Sequence, residues 1–135
     1  MKLTTARRST IAQGIIADMA NGTAANPKIE FYTGTIPASM GGSITDTLLA
    51  ELETTTTVAT ENSGVITFQA ITEDSSANAS DDVGWARALD RDGAEAIYFT
   101  VSASGAGGDI QFNSVSFVAG APVSVSSLTV TVGAA

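Results

Sequence analysis

The chain contains no cysteine and no histidine. The first absence excludes disulfides and thiolate metal sites. The second removes the commonest general base and, with the first, the usual zinc ligands. A Ser–His–Asp triad cannot be built in its usual form. Paired carboxylates remain chemically open, as in glycoside hydrolysis, but most acids stand in a polar stretch or beside turn residues, where solvated carboxylates are expected. No apolar run approaches the roughly 18 residues of a membrane span, so no membrane partner is expected. The opening MKLTTARRST has two arginines but no apolar stretch behind it, and does not read as a secretory signal. Only six residues are Lys or Arg against 14 Asp or Glu, a net charge of −8. Neutralising phosphates needs clustered cations, so nucleic acid is not an expected partner.

What is abundant is Thr, Ser, Val, Ala and Gly, residues that suit a pleated, half-buried surface. At 135 residues the chain is one domain's worth. The charge is uneven. Lys2, Arg7 and Arg8 give residues 1–17 a charge of +3, and the remainder, with three basic residues against 14 acids, carries −11. A basic arm on an acidic body suits two different surroundings; the plainer alternative is a solvated start with stray charges.

Residues 9–20, STIAQGIIADMA, predict a helix. Ile11, Ala12, Ile15, Ile16, Met19 and Ala20 fall on one stripe, Ser9 or Thr10 can cap the start, and Asn21-Gly22 supplies a left-handed stop. A helix so short is marginal alone in water. It needs a surface, either its own body or a neighbouring subunit. After Gly22 the period changes to two. Strands are predicted over 28–34, 64–73, 83–90, 96–103, 110–120 and 122–132, with turns at Asp90-Gly93 and at SGAGGD, 104–109. Leu48, Leu49 and Leu52 have helical spacing and suggest a short helical turn. TEDSSANASDD, 72–82, reads as an exposed acidic loop. The expected fold is all-β: an antiparallel sandwich or barrel-like, jelly-roll-like body over 23–135, preceded by an N-terminal arm with a short helix over 1–22.

No segment carries a strong chemical motif. Asp90-Arg91-Asp92-Gly93 has a D-x-D-G look, but the remaining oxygen ligands and twelve-residue register of a calcium loop are missing, and a β-turn is the simpler reading. Asp74, Asp81 and Asp82 fit a solvated charge run. Gly105, Gly107 and Gly108 precede no helix and no lysine, so they make no phosphate cradle. Tyr32, Trp85 and Tyr98 are the residues a sugar-stacking platform would use; the alternation around Trp85 instead assigns it to the core. No catalytic residue, cofactor or metal ligand is assigned, and no enzymatic activity is expected.

Five segments in order are IEFYTGTIPA (29–38), LLAEL (48–52), GVITFQAI (64–71), VGWARALDRDGA (83–94) and DIQFNSVSFVAGAPVSVSSLTVTV (109–132). Together they resemble a family of small virion proteins of tailed bacteriophages, some similar to capsid decoration or minor capsid proteins. The resemblance spans most of 28–132 and omits the arm. It implies a sandwich-like body on the outside of a phage head, made in the host bacterial cytoplasm. It also implies a trimer by analogy with threefold shell positions, and the major capsid protein or another virion protein as partner. The arm supplies the candidate partner-binding residues: Lys2, Arg7, Arg8, Ile11, Ile15, Ile16 and Met19. A tail, neck or head-fibre component is the competing assignment, and a carbohydrate-binding module a more distant one.

Overall fold

In the computed structural model, which describes residues 1–133, helix α1 runs Thr5–Met19. Ten strands follow among these residues: β1 (Lys28–Tyr32), β2 (Leu48–Glu53), β3 (Ala59–Asn62), β4 (Val65–Phe68), β5 (Asp81–Asp82), β6 (Trp85–Leu89), β7 (Glu95–Ala103), β8 (Ile110–Phe112), β9 (Ser116–Phe117) and β10 (Thr129–Thr131). The last two residues of the body expected over 23–135 lie outside the described residues. The helix begins four residues earlier than its apolar stripe suggests, because Thr4 caps it, its hydroxyl accepting from Arg7 N–H. It stops where expected, with Gly22 at φ +98°.

The chain is mainly β. The largest sheet has the order β2-β1-β6-β7-β8 and curls into a half-barrel. It is mixed, a correction to the antiparallel expectation: β7 and β8 run parallel, while its other pairs are antiparallel. Parallel neighbours usually need a crossover of about a dozen residues or more. Here 104–109 suffices, because Gly105 and Gly107, at φ +83° and +89°, let the loop double back. A three-stranded sheet, β10-β4-β3, and a two-stranded one, β5-β9, complete the body. The arrangement is not a clear jelly roll.

Alternation fills the core. Ile29 and Phe31 of β1, Ala86 and Ala88 of β6, and Phe99 and Val101 of β7 are buried in one cluster with Ile66 and Phe68 of β4. The helix closes this cluster: α1 lies against β3, β4 and β7, with Ala12 and Met19 buried. Fully burying a side chain such as Met19 contributes about 1.5–3 kcal/mol. A helix marginal in water is thereby held by its own body.

Other departures have local causes. Leu48–Leu52 lies in a strand; a bulge opposite Phe31/Tyr32 shifts the phase at Leu49, which makes the leucine spacing look helical. The 110–120 run splits between two sheets, with β8 beside β7 and β9 beside β5. Of 122–132 only Thr129–Thr131 forms a strand, while Val123 bridges Asp74. The acidic stretch 72–82 is stitched down at Thr72 and Asp74, buries Ala77 and ends in β5.

Candidate functional site

The residues expected to bind a partner divide by depth. Met19 is 1% exposed and belongs to the core; Ile15 and Ile16 are half-buried against it. Arg8 is half-buried, its Cβ close over Gly64, and its Nε is buried without a hydrogen-bond partner among the described residues. Lys2, Arg7 and Ile11 stay exposed, Ile11 at 43%. Arg7, Ile11 and Asp18 follow one another at helical spacing on the solvent side. The described ion pairs involve only Lys28 and Arg87 as cations, so Lys2 and Arg7 are unspent. Their placement is electrostatically unfavourable for the helix. No acid stands in the first turn and no cation in the last, the reverse of what the macrodipole prefers.

A second constellation lies on the outer face of the five-stranded sheet. On β1 the phase opposite to Ile29 and Phe31 carries Lys28, Glu30 and Tyr32. Their β6 partners are Leu89, Arg87 and Trp85 in turn. Glu30 is 8% exposed; its Oε2 accepts from the Tyr32 hydroxyl at 2.6 Å and from Arg87 Nε at 2.7 Å. Arg87 Nη1 donates to Glu95 Oε1 at 2.7 Å, and the Tyr98 hydroxyl donates to the same oxygen at 2.8 Å. The Tyr32 ring stacks on Trp85 at 4.8 Å and 16°, Tyr98 tilts against Trp85 at 5.0 Å, and the Arg87 guanidinium sits 5.4 Å over Tyr32. Each polar atom of a buried set must find a partner or cost stability, and here the ions and phenols supply one another.

The segment 33–47 covers this cluster. Gly41 N–H donates to Glu95 Oε2 at 2.8 Å, and Trp85 Nε1 donates to Asp46 Oδ2 at 2.9 Å. Trp85 is therefore fully buried, as its alternation predicts, but on the face opposite the main core. The electrostatics follow. Burial, and then the bond to Glu30, push the Tyr32 phenol above its usual range. Burial works against the Glu95 charge, yet the bonds from Tyr98, Gly41 N–H and Arg87 outweigh it and hold that carboxyl below the usual value.

Beside the cluster a cleft of about 230 Å³ opens over Lys28, Glu30, Glu51 and Leu89, rimmed by the Arg91–Gly93 turn. Lys28 Nζ meets Glu51 Oε1 at 2.7 Å, and that bond, opposed by burial, raises the Lys28 pKa.

The D-x-D-G segment is a β-turn: Asp90 Oδ1 accepts from Asp92 and Ala94 N–H, and Gly93 has φ +88°. Among the described residues no three acids gather in a way that would hold a metal ion. No described helix is long and apolar enough to cross a membrane.

The sequence singled out Tyr32, Trp85 and Tyr98 individually but not the charges among them. The signal was the shared phase of Lys28-Glu30-Tyr32 and Trp85-Arg87; what it lacked was the pairing of β1 with β6. No protein-family model, curated protein or solved structure matches the chain.

Proposed function

We propose that this chain is a structural protein of a tailed-bacteriophage virion: a capsid decoration protein, trimeric on the head's outer surface, that cements neighbouring major capsid subunits. The observation that carries the proposal is the exposed side of α1. Arg7 and Ile11 stand on a helix anchored to the body by Ala12 and Met19, Lys2 lies in the segment just before it, and among the described residues no acid pairs with the two cations. A contact element presented rigidly gives up less entropy on docking than a free arm. The shared core of the five-stranded sheet with β3 and β4 supports a compact β-rich body of the kind the proposal needs. A place in the tail, neck or head fibre would use the same surface, and position in the particle separates the two.

The test adds purified protein to particles that lack it and measures occupancy. Because Ala12 and Met19 are in the core, the informative variant is Lys2→Glu/Arg7→Glu/Ile11→Ser, which leaves the packing intact, and not a truncation. Occupancy should fall at least about tenfold, or 1.4 kcal/mol. Unchanged occupancy removes α1 from the contact, and failure of the unaltered protein to bind such particles sinks the reading as a whole. The carbohydrate-binding alternative has the Tyr32–Trp85–Tyr98 stack in its favour. Against it stands the cover over Trp85, which is 0% exposed and offers no face to a sugar ring.

A further inference from the structure

We propose that the cleft over Lys28, Glu30 and Glu51 receives the basic end of α1 from a second copy of this chain, so that copies join head to tail. The inference rests on the reading of the exposed side of α1 as a contact surface, and it gives that surface a partner besides the shell.

The cleft has acceptors to spare. Glu30 is 92% buried, being 8% exposed. Both of its hydrogen bonds end on Oε2, and none among the described residues ends on Oε1, although the residue lines the cleft. Glu51 likewise spends only Oε1, on Lys28. Six carboxylates stand on or around this face (Glu30, Glu51, Glu53, Asp90, Asp92, Glu95) against three cations (Lys28, Arg87, Arg91), a local net charge of −3. Glu30 already has a cationic donor in Arg87 and Glu51 in Lys28, and their remaining oxygens face the open cleft, where a further cation would be attracted. An arginine fork, or a lysine ammonium, supplies the donor type that Glu30 Oε1 and the free Glu51 oxygen accept.

The matching charge is on the same chain but out of its reach. Residues 1–17 carry +3, and Lys2 and Arg7 make no ion pair among the described residues. The C-terminal end of α1 is next to the cleft rim, where Thr23 N–H donates to Asp92 Oδ1. Arg7 is twelve residues back from Met19, roughly 18 Å along the axis. The helix packs on β3 and β4 behind the core, while the cleft opens on the outer face of β1, β2 and β6. One copy therefore cannot bring its arm to its own cleft, and a neighbour can. The contact joins two different patches, so it is heterologous and propagates into a ring or a filament. Its charges are partly exposed, and salt weakens it.

The experiment is sedimentation of the full-length protein at low and high salt, with two charge variants. Lys2→Glu/Arg7→Glu alters the arm, and Glu51→Lys alters the cleft, with Glu51→Gln as a milder companion; thermal melts check that each is folded. The unaltered protein should self-associate at low salt and dissociate as salt approaches about 1 M, where the screening length is about 3 Å. Each variant alone should associate at least about tenfold more weakly. Mixing the two charge variants should restore association, since each then offers the other's missing partner. Association of Glu51→Lys equal to that of the unaltered protein overturns the proposal, as does a monomer at every salt concentration. Particle occupancy separates this from the functional reading. A cleft variant that associates like the unaltered protein and still fills particles, while the arm variant does not fill them, places the arm on the shell and overturns the copy-to-copy contact alone. An arm variant that loses self-association yet keeps full occupancy supports the contact and removes the arm from the shell.

Discussion

Replacing Trp85 with alanine tests whether the outer face of the sheet is a second core. The indole is 0% exposed, stacked on Tyr32, packed against a tilted Tyr98, and tied through Nε1 to Asp46. An aromatic side chain buries about 150–250 Å², worth about 4–6 kcal/mol at 25 cal/mol per Å² as an upper bound. Measured truncations of buried Trp or Phe cluster at about 3–5 kcal/mol. We expect Trp85→Ala to fall in that range, a drop in Tm of roughly 10–20 °C for a chain this size. Trp85→Phe keeps a ring in the stack but loses the bond to Asp46. Asp46 is only half-buried and can turn to water, so this variant should cost about 1–2 kcal/mol, the lower part of the range for bonds to charged groups. The assay is a urea titration followed by circular dichroism, because Trp85 is the sole tryptophan and its fluorescence leaves with it. Hydrogen exchange within 33–47 should quicken in both variants, since Asp46 is one of that segment's two polar ties to the cluster. A cost below about 1 kcal/mol for Trp85→Ala would refute the reasoning: the ring would then be solvated in the native ensemble and the covering segment open.

Arg87→Met should destabilise by about 2–3 kcal/mol in the same titration, less than for a fully dry pair because Arg87 keeps 19% of its side chain exposed. Adding Glu30→Gln to it should recover part of that loss, and a double variant no more stable than the single one would contradict the pairing. The Glu95 carboxyl is held below its usual 4.5, so folding favours its charged form. Its contribution is present above about pH 4.5 and lost as pH falls through the folded value. Glu95→Gln should flatten stability against pH in that acidic window, and an unchanged slope would remove Glu95 from the account. The Tyr32 phenol shifts the other way, burial and the Glu30 bond raising it from 10.0. Its contribution is complete below about pH 10 and is lost as pH rises further. Tyr32→Phe should lessen the alkaline fall, read from melts in that range.

The sequence by itself determined the class of the molecule. Alternation at Ile29/Phe31, at Ile66/Phe68 and at Leu128/Val130/Val132 set strand faces, because a strand's side chains alternate whatever it pairs with. Asp90-Gly93 set a tight turn between β6 and β7, because its side chain and glycine satisfy that turn locally. The helix and its stop at Gly22 were legible for the same reason, and the lack of His and Cys bounded the chemistry open to the chain. Tertiary structure decided what depends on residues far apart in the chain. Whether Met19 met the body or a neighbour turned on the position of β3 and β4. The bulge that placed Leu48–Leu52 in a strand exists only against β1. The doubling back of 104–109 made the sheet mixed. The Glu30–Arg87–Glu95 network and the cleft beside it required β1 to pair with β6 across 57 positions. Local pattern says which way a side chain points, but pairing and register, set by the packing of the whole chain, say what it meets there.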